Sequence, residues 1–396
     1  MEILYSLLNL VFAFGFYIIT KKKGYSPDIK ERLVLYNSKE KGFLWFHCAS
    51  VGELNLAKPL IEHFSKNYKI LITVFSPRGK DYAKKLYPFA VIKPLPFDFS
   101  FSVKRFLKNF QPEALIIVEG ELWYNLIKEA SKQIPVISVN TRISPKSFKL
   151  YRRLSFLYKK TLNRFALFLV RSEKDLYFLK HLIKDEKKAV LCGDLKVVSS
   201  GEVKEIFLDK KGKKVIVAGS THSPEEEILL DVFKNIKKDF PESVLIIAPR
   251  HLERIEDIEN SVKRHGFSYS FRTKTDKLYT DVYIVDTIGE LSGIYRYADV
   301  VFIGGTFAPV GGHNILEPVF FKKPVVIGPN YQKIEDMYDF LKKRNAVSSV
   351  NSKEELERFI KKVLNGQVYV DINLEKEKEK VLSCYVNHIK EKLERR

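Results

Sequence analysis

Residues 213–219 read Lys-Lys-Val-Ile-Val-Ala-Gly and follow Val197–Gly212, a polar, lysine-rich stretch containing glycine. A short apolar run of β-branched residues closed by glycine reads as a buried strand entering a turn. After a linker-like segment, it marks the point where the chain begins a second sheet. Working back from it, similar apolar runs separated by amphipathic segments occur at Phe43–His47, Ile70–Phe75, Val91–Leu95, Ala114–Glu119, Val136–Asn140, Leu167–Arg171 and Ala189–Gly193. Working forward they occur at Lys214–Gly219, Val244–Pro249, Val282–Asp286, Val300–Gly304 and Pro324–Gly328. Apolar runs alternating with amphipathic segments are the signature of βαβ units and a parallel sheet. The expected fold is α/β, with two doubly wound Rossmann-like domains. The expected boundaries are an anchor over 1–22, a first domain over 23–200, a linker over 201–211, a second domain over 212–375, and a charged helix over 376–396 packing back on the first domain.

Composition permits this. The 396 residues are 45% hydrophobic and 29% charged, a globular balance with enough apolar material for two cores. The three cysteines, Cys48, Cys192 and Cys384, lie far apart without a CxxC spacing, which argues against a disulfide framework or a thiolate zinc site and suits a reducing compartment. Net charge is +20, from 68 Lys and Arg against 48 Asp and Glu, a field that favours polyanions: nucleic acid, anionic lipid or a phosphorylated substrate. The basic residues are dispersed and no nucleic-acid-binding signature accompanies them. The uncharged run Ile3–Thr20 is followed directly by Lys21, Lys22 and Lys23. It is close to the roughly 20 residues that span a bilayer. A cleaved signal peptide would carry its charge before the apolar run, so an anchor with the remainder on the cytoplasmic side is expected.

In doubly wound sheets ligands bind beyond the carboxyl ends of the strands, so chemistry is sought in the strand-to-helix turns. Gly304-Gly-Thr306 through Gly311-Gly-His-Asn-Ile-Leu-Glu-Pro318 places two glycine pairs around a short loop. Such a loop lets backbone approach a ligand, and a following helix start offers N–H groups to a phosphate. It is neither a Walker A loop nor a GxGxxG fingerprint. Asn314 and Glu317 are also spaced as a helix cap and its partner, as are Ser50 and Glu53, Thr287 and Glu290, and Ser223 and Glu226. Capping alone explains each glutamate; the glycine beside three of the four caps, and their place at strand ends, point to a ligand as well. Ala248-Pro-Arg-His251 ends a strand with Arg250, suited to an anion or to pairing with Glu253. Glu119 and Glu121 follow an Ile/Val strand, where a carboxylate is costly unless paired or facing a cleft, and Lys196 could be the counter-charge of Glu119. No HExxH, Cys/His cluster, EF-hand loop or Asp-x-Asp metal motif is present in the sequence.

These turns together resemble the 3-deoxy-D-manno-octulosonic acid (Kdo) transferase family of lipopolysaccharide biosynthesis. The resemblance rests on stretches beginning at His47, Phe75, Val118, Gly193, Ala218, Ala248, Asp286 and Gly304, in order across nearly the whole chain. It implies a GT-B fold, a CMP-Kdo donor, a lipid A precursor (tetraacyl disaccharide bisphosphate) as acceptor, inversion at the anomeric carbon, no metal or cofactor, and an N-terminal anchor in the inner membrane beside anionic lipid. It assigns Glu53 as general base, Glu119 and Lys196 to transition-state stabilisation, and Pro249, Arg250, Ile288, Gly289, Glu290, Asn314, Ile315, Leu316 and Glu317 to CMP binding. Tyr124 stands where many relatives carry proline, which touches local helix geometry only. Rival readings are a GT-B glycosyltransferase or epimerase using a UDP-sugar, and a basic, membrane-anchored nucleic-acid-binding protein.

Overall fold

The computed structural model describes residues 2–38, 40–199 and 203–394. They form two compact units, one holding the chain up to Ser199 and from Glu375 onward, the other the chain between. The first contains β1 (Phe43–Cys48), β2 (Lys69–Val74), β3 (Val91–Pro94), β4 (Ala114–Val118), β5 (Val136–Thr141), β6 (Leu167–Val170) and β7 (Ala189–Leu191). They pair in parallel in the order β3-β2-β1-β4-β5-β6-β7. The second contains β8 (Lys214–Thr221), β9 (Ser243–Pro249), β10 (Tyr269–Phe271), β11 (Val282–Ile284), β12 (Val300–Ile303), β13 (Val325–Ile327) and β14 (Val347–Ser349). Their order is β10-β11-β9-β8-β12-β13-β14, again parallel. Each apolar run named above is a strand. The two strands that the pattern missed, β10 and β14, are three-residue edge strands too short to show a period.

Each sheet is apolar on both faces because helices cover both. Along β1, Leu44, Phe46 and Cys48 enter one core cluster while Phe43 and Trp45 enter the other. The strand order reverses between β1 and β4 in the first unit and between β8 and β12 in the second. Each reversal opens a crevice at the carboxyl edge.

Helix Leu374–Glu394 belongs to the first unit: Val381, Tyr385, Val386 and Ile389 join the cluster containing Leu44 and Leu195, and the Tyr385 hydroxyl donates to the Gly193 carbonyl at 2.8 Å. That return brings Cys384 against Cys192, and the two form a disulfide with Cα atoms 5.5 Å apart. The cysteine spacing predicted none. A pairing across 192 residues depends on a helix docking that spacing does not encode.

The expected anchor is helix Glu2–Lys22, and it lies along the first unit. Tyr5 donates to Asp98 Oδ2 at 2.6 Å, the Asn9 amide donates to the Asp98 carbonyl, Phe12 rests on Phe75 and Trp123, and Phe16 on Phe75 and Phe97. Residues 5, 9, 12 and 16 share one helical face. The other face exposes Leu7, Leu10, Val11 (71% exposed) and Phe14 (66%). Among the described residues no helix is long and apolar enough to cross a membrane.

Asp98 also accepts from the backbone N–H groups of Asn125 and Leu126, capping helix Tyr124–Ala130. Burial pushes its carboxyl above the usual range, against these donors. Asp98→Ala leaves those donors without an acceptor and should cost about 2–4 kcal/mol. It should also speed amide exchange in residues 5–16, read by mass spectrometry. Unchanged exchange there would show that the aromatic contacts alone hold the helix.

Candidate functional site

At the reversal point of the first sheet, β1 leads into helix Val51–Ser65 and β4 into the turn Glu119–Glu121. Ser50 caps the helix, its Oγ accepting from Glu53 N–H at 3.3 Å, and Glu53 Oε2 accepts from Ala49 N–H at 2.6 Å. The capping reading is therefore correct, yet it leaves Glu53 one strong donor. Burial raises its carboxyl to about 7, helped by the charges of Glu121 and Glu119 and opposed by the Ala49 N–H and His47. Glu119 itself sits at φ 62°, a left-handed conformation that costs a non-glycine residue about 1–3 kcal/mol and marks functional turns.

Beside them lies a pair that the motif spacing does not single out. His47, fully buried at the end of β1, places Nε2 2.8 Å from Glu121 Oε2 and Nδ1 within 3.1 Å of the carbonyl and hydroxyl of Thr73. The Trp123 indole donates to the same carboxylate oxygen at 2.7 Å. Burial raises Glu121, but the hydrogen bond and charge of His47, with the Trp123 bond, outweigh it and hold this carboxyl below the ordinary range. One carboxylate is thus kept ionised while its neighbour titrates near neutrality. The signal available in the sequence was a histidine inside an otherwise apolar strand. Lys196, exposed at the start of helix Lys196–Ser199, has its backbone N–H on Asp194 Oδ1 at 2.9 Å.

In the second unit, the loop Gly305–Gly312 closes around a carboxylate of the chain itself. Fully buried Glu225 accepts from the backbone N–H groups of Gly305, Thr306 and Phe307, each at 2.8 Å, and from His222 N–H at 2.9 Å. The N–H groups of Gly311 and Gly312 return to the Gly305 carbonyl, a path that requires the positive φ of all three glycines. The expectation that the loop itself offers free N–H groups to a phosphate is corrected for Gly305 to Ala308. Glu225 takes the loop donors, and Asn314 Oδ1 takes Leu316 N–H at 3.0 Å. The side chains of Ile315 and Leu316 are buried, so only their backbone can face a ligand.

Cationic groups surround that loop instead. His222 Nε2 and His313 Nε2 are 2.8 Å apart with rings stacked, so one nitrogen donates and the other, on a neutral ring, accepts, and burial lowers the pKa of both. Burial, followed by the charges of His222, Arg250, Lys333 and His251, pulls His313 down to about 4. Arg250, at the end of β9, is exposed and has no ion-pair partner among the described residues; Glu253 pairs with His251 instead. Asn314 donates to Glu317 Oε1 at 2.9 Å, and burial raises the Glu317 carboxyl against that bond. Glu290 receives Thr287 Oγ1 at 2.7 Å, Arg272 Nε at 3.0 Å and Lys204 Nζ at 3.3 Å, and these outweigh burial to lower its carboxyl. Gly289 lies beside it at φ 82°, and Ile288 is 82% exposed. The Ser223–Glu226 capping reading fails: helix Glu225–Asp239 begins after Pro224, and Glu226 forms a two-bond ion pair with Arg254 at 2.8 and 3.0 Å.

Comparison with known proteins gives a consistent picture. The family model of 3-deoxy-D-manno-octulosonic-acid transferase (kdotransferase) matches residues 27–199. The 3-deoxy-D-manno-octulosonic acid transferase of Aquifex aeolicus (strain VF5) is 36% identical over 358 residues, 89% of this chain and 94% of that protein. Its counterpart in Rickettsia felis is 34% identical over 344 residues, 84% of this chain and 73% of that protein. Among solved structures, UDP-GlcNAc 2-epimerase from Neisseria meningitidis superposes with a TM-score of 0.57 over 90% of this chain and 100% of its own, at 11% identity. That likeness is of fold alone.

A carboxyl raised by folding is stable when protonated and loses that stability as pH rises through its folded value. Glu53→Gln should therefore match the wild type in melting temperature near pH 4 and exceed it at pH 8, by about 2 kcal/mol after allowing for partial exposure. Equal melting at pH 8 would place the Glu53 carboxyl at its ordinary value.

Proposed function

This chain belongs to the 3-deoxy-D-manno-octulosonic acid transferase family, and from that premise we propose that it moves Kdo from CMP-Kdo to a hydroxyl of a lipid A precursor with inversion. It is a glycosyltransferase. The observation that carries the mechanism is the Glu53 carboxyl held near 7 at the carboxyl edge of β1. A general base works best when its pKa lies near the working pH. In the proposed step Glu53 takes the proton from the acceptor hydroxyl as its oxygen attacks the anomeric carbon, and the bond to the CMP phosphate breaks on the opposite face. Glu119 and Lys196 are assigned to the transition state, Glu119 facing the developing positive charge on the sugar.

The proposed donor site is the carboxyl edge of the second sheet. Arg250 meets the phosphate, backbone of Pro249 and of 288–290 flanks the nucleotide, and Asn314 with Glu317 receives the ribose hydroxyls. Neutral His222 and His313 beside Arg250 and Lys333 suit a departing anion, because each unpaired cation there gains a partner as charge develops on CMP. No metal ion is invoked. The proposed architecture is of the GT-B type.

The exposed apolar face of helix Glu2–Lys22 is assigned to the cytoplasmic surface of the inner membrane. There Lys21, Lys22 and Lys23 would meet anionic headgroups.

Purified protein incubated with CMP-Kdo and a tetraacylated lipid A precursor should yield a product heavier by Kdo, read by mass spectrometry. Glu53→Ala should lower turnover by ~10²–10⁴-fold. Wild-type rate should rise with pH through about 7, as the base ionises. Full turnover in the variant would remove Glu53 from this role. Separately, Val11→Asp with Phe14→Asp should reduce co-sedimentation with anionic vesicles at least tenfold while thermal stabilisation by CMP stays intact. Undiminished sedimentation would place the membrane contact elsewhere.

A further inference from the structure

Just past the end of β7, the disulfide between Cys192 and Cys384 has a third potential ligand beside it. His388 lies one helical turn beyond Cys384, and the ligand atoms of Cys192, Cys384 and His388 all fall within 4.8 Å of one another. Cysteine and histidine four apart on a helix share a face, the spacing by which one helix supplies two metal ligands. His388 Nδ1 is 3.8 Å from Cys384 Sγ. A tetrahedral site with a Zn–S bond of about 2.3 Å and a Zn–N bond of about 2.0 Å has an S-to-N edge of about 3.5 Å. Cys192 is buried, while Cys384 and His388 are partly open to solvent, so a water molecule can complete the tetrahedron.

We propose that Cys192, Cys384 and His388 form a site for a divalent cation of the zinc class when the disulfide is reduced. The balance is simple. Two molecules of a small thiol reduce the Cys192–Cys384 bond, yielding two protein thiols and one external disulfide. The cation then displaces one proton from each thiol and binds two thiolates, with His388 as the neutral third ligand. To coordinate through Nδ1 the imidazole exchanges its 2.8 Å hydrogen bond to the Cys384 carbonyl for the metal.

The surroundings favour exchange of one link for the other rather than separation. Tyr385 binds the Gly193 carbonyl, Val381 packs against Gly193, and Leu195 N–H donates to Asn140 Oδ1 at 2.9 Å. The turn 192–196 and the C-terminal helix therefore stay in register when the sulfurs part. Oxidised, a covalent bond joins them; reduced, the cation does. Because Lys196 is in this turn, the site lies close in sequence to a residue assigned to transfer, but the inference does not depend on that assignment.

The test uses the full chain with Zn(II) as the probe. After reduction by a phosphine, the chain should bind one zinc per molecule by elemental analysis and hold it against a chromophoric chelator. The oxidised chain should bind none. Cys192→Ser and Cys384→Ser should each abolish binding, and His388→Ala should weaken it at least tenfold. Should the serine variants misfold, Co(II) added to the reduced wild type reports directly: thiolate-to-cobalt charge-transfer absorption that changes in His388→Ala supports the site. Equal zinc uptake by oxidised and reduced chain, no uptake by the reduced chain, or His388→Ala binding like wild type would each overturn the proposal.

Discussion

A carboxylate at the end of a buried parallel strand is costly unless donors meet it, and the charge state of each such group follows from how many do. Glu225 has four loop N–H groups and that of His222, and so serves as the fixed centre of the loop Gly305–Gly312. Glu121 has His47 and Trp123 and is kept ionised. Glu290 has Thr287, Arg272 and Lys204, and Glu226 has both arms of Arg254. Glu53 has one short bond, from Ala49, and two carboxylate neighbours. Burial, with only one short bond against it, gives Glu53 a pKa fit for proton transfer, and its place is set by where β1 ends.

The strand ends themselves are irregular in matching ways. Glu119, Asn140 and Ser220 follow or close β4, β5 and β8 with positive φ, and the ladders slip by one residue at Asn140 and Ser220. Such slips re-aim the residues after them. Asn140 turns its side-chain oxygen to Leu195 N–H, fixing the start of the turn that holds Lys196, and the residues after Ser220 lead into His222. Backbone distortion at the carboxyl edges thus sets the direction of chemistry-bearing side chains in both units, while the rest of each ladder stays regular.

Much of this architecture is legible in the order of the amino acids, and the gaps have physical causes. Long apolar runs announce buried strands because burial on both faces leaves no room for polar residues; β10 and β14, at the edges, carry no such demand. The spacing Ser50–Glu53 announces a cap, and the cap is there, but spacing cannot report that burial outweighs the donors the carboxyl finds. The loop around Gly305 reads as open to an anion because Glu225, which fills it, lies some eighty positions earlier in the chain. His47 with Glu121 and Cys192 with Cys384 are likewise partnerships across the fold, set by which strands and helices become neighbours.

The N-terminal helix shows how one sequence pattern supports two geometries. An uncharged run closed by lysines fits a spanning anchor by composition alone. The polar residues within it tie the helix to the domain: Tyr5 and Asn9 both bind Asp98, which simultaneously caps helix Tyr124–Ala130. For the helix to leave the domain and stand across a bilayer, the phenol and amide would enter hydrocarbon without their partner, and a buried carboxylate would lose its hydroxyl donor. Both changes cost free energy. Remaining docked keeps those bonds and still leaves Leu7, Leu10, Val11 and Phe14 directed outward, an apolar strip of the kind that lies in a membrane interface rather than through it. On the proposed reading this lays the helix along the membrane, and Phe12 and Phe16 on Phe75 join that surface to the end of β2, the neighbour of the strand that carries Glu53.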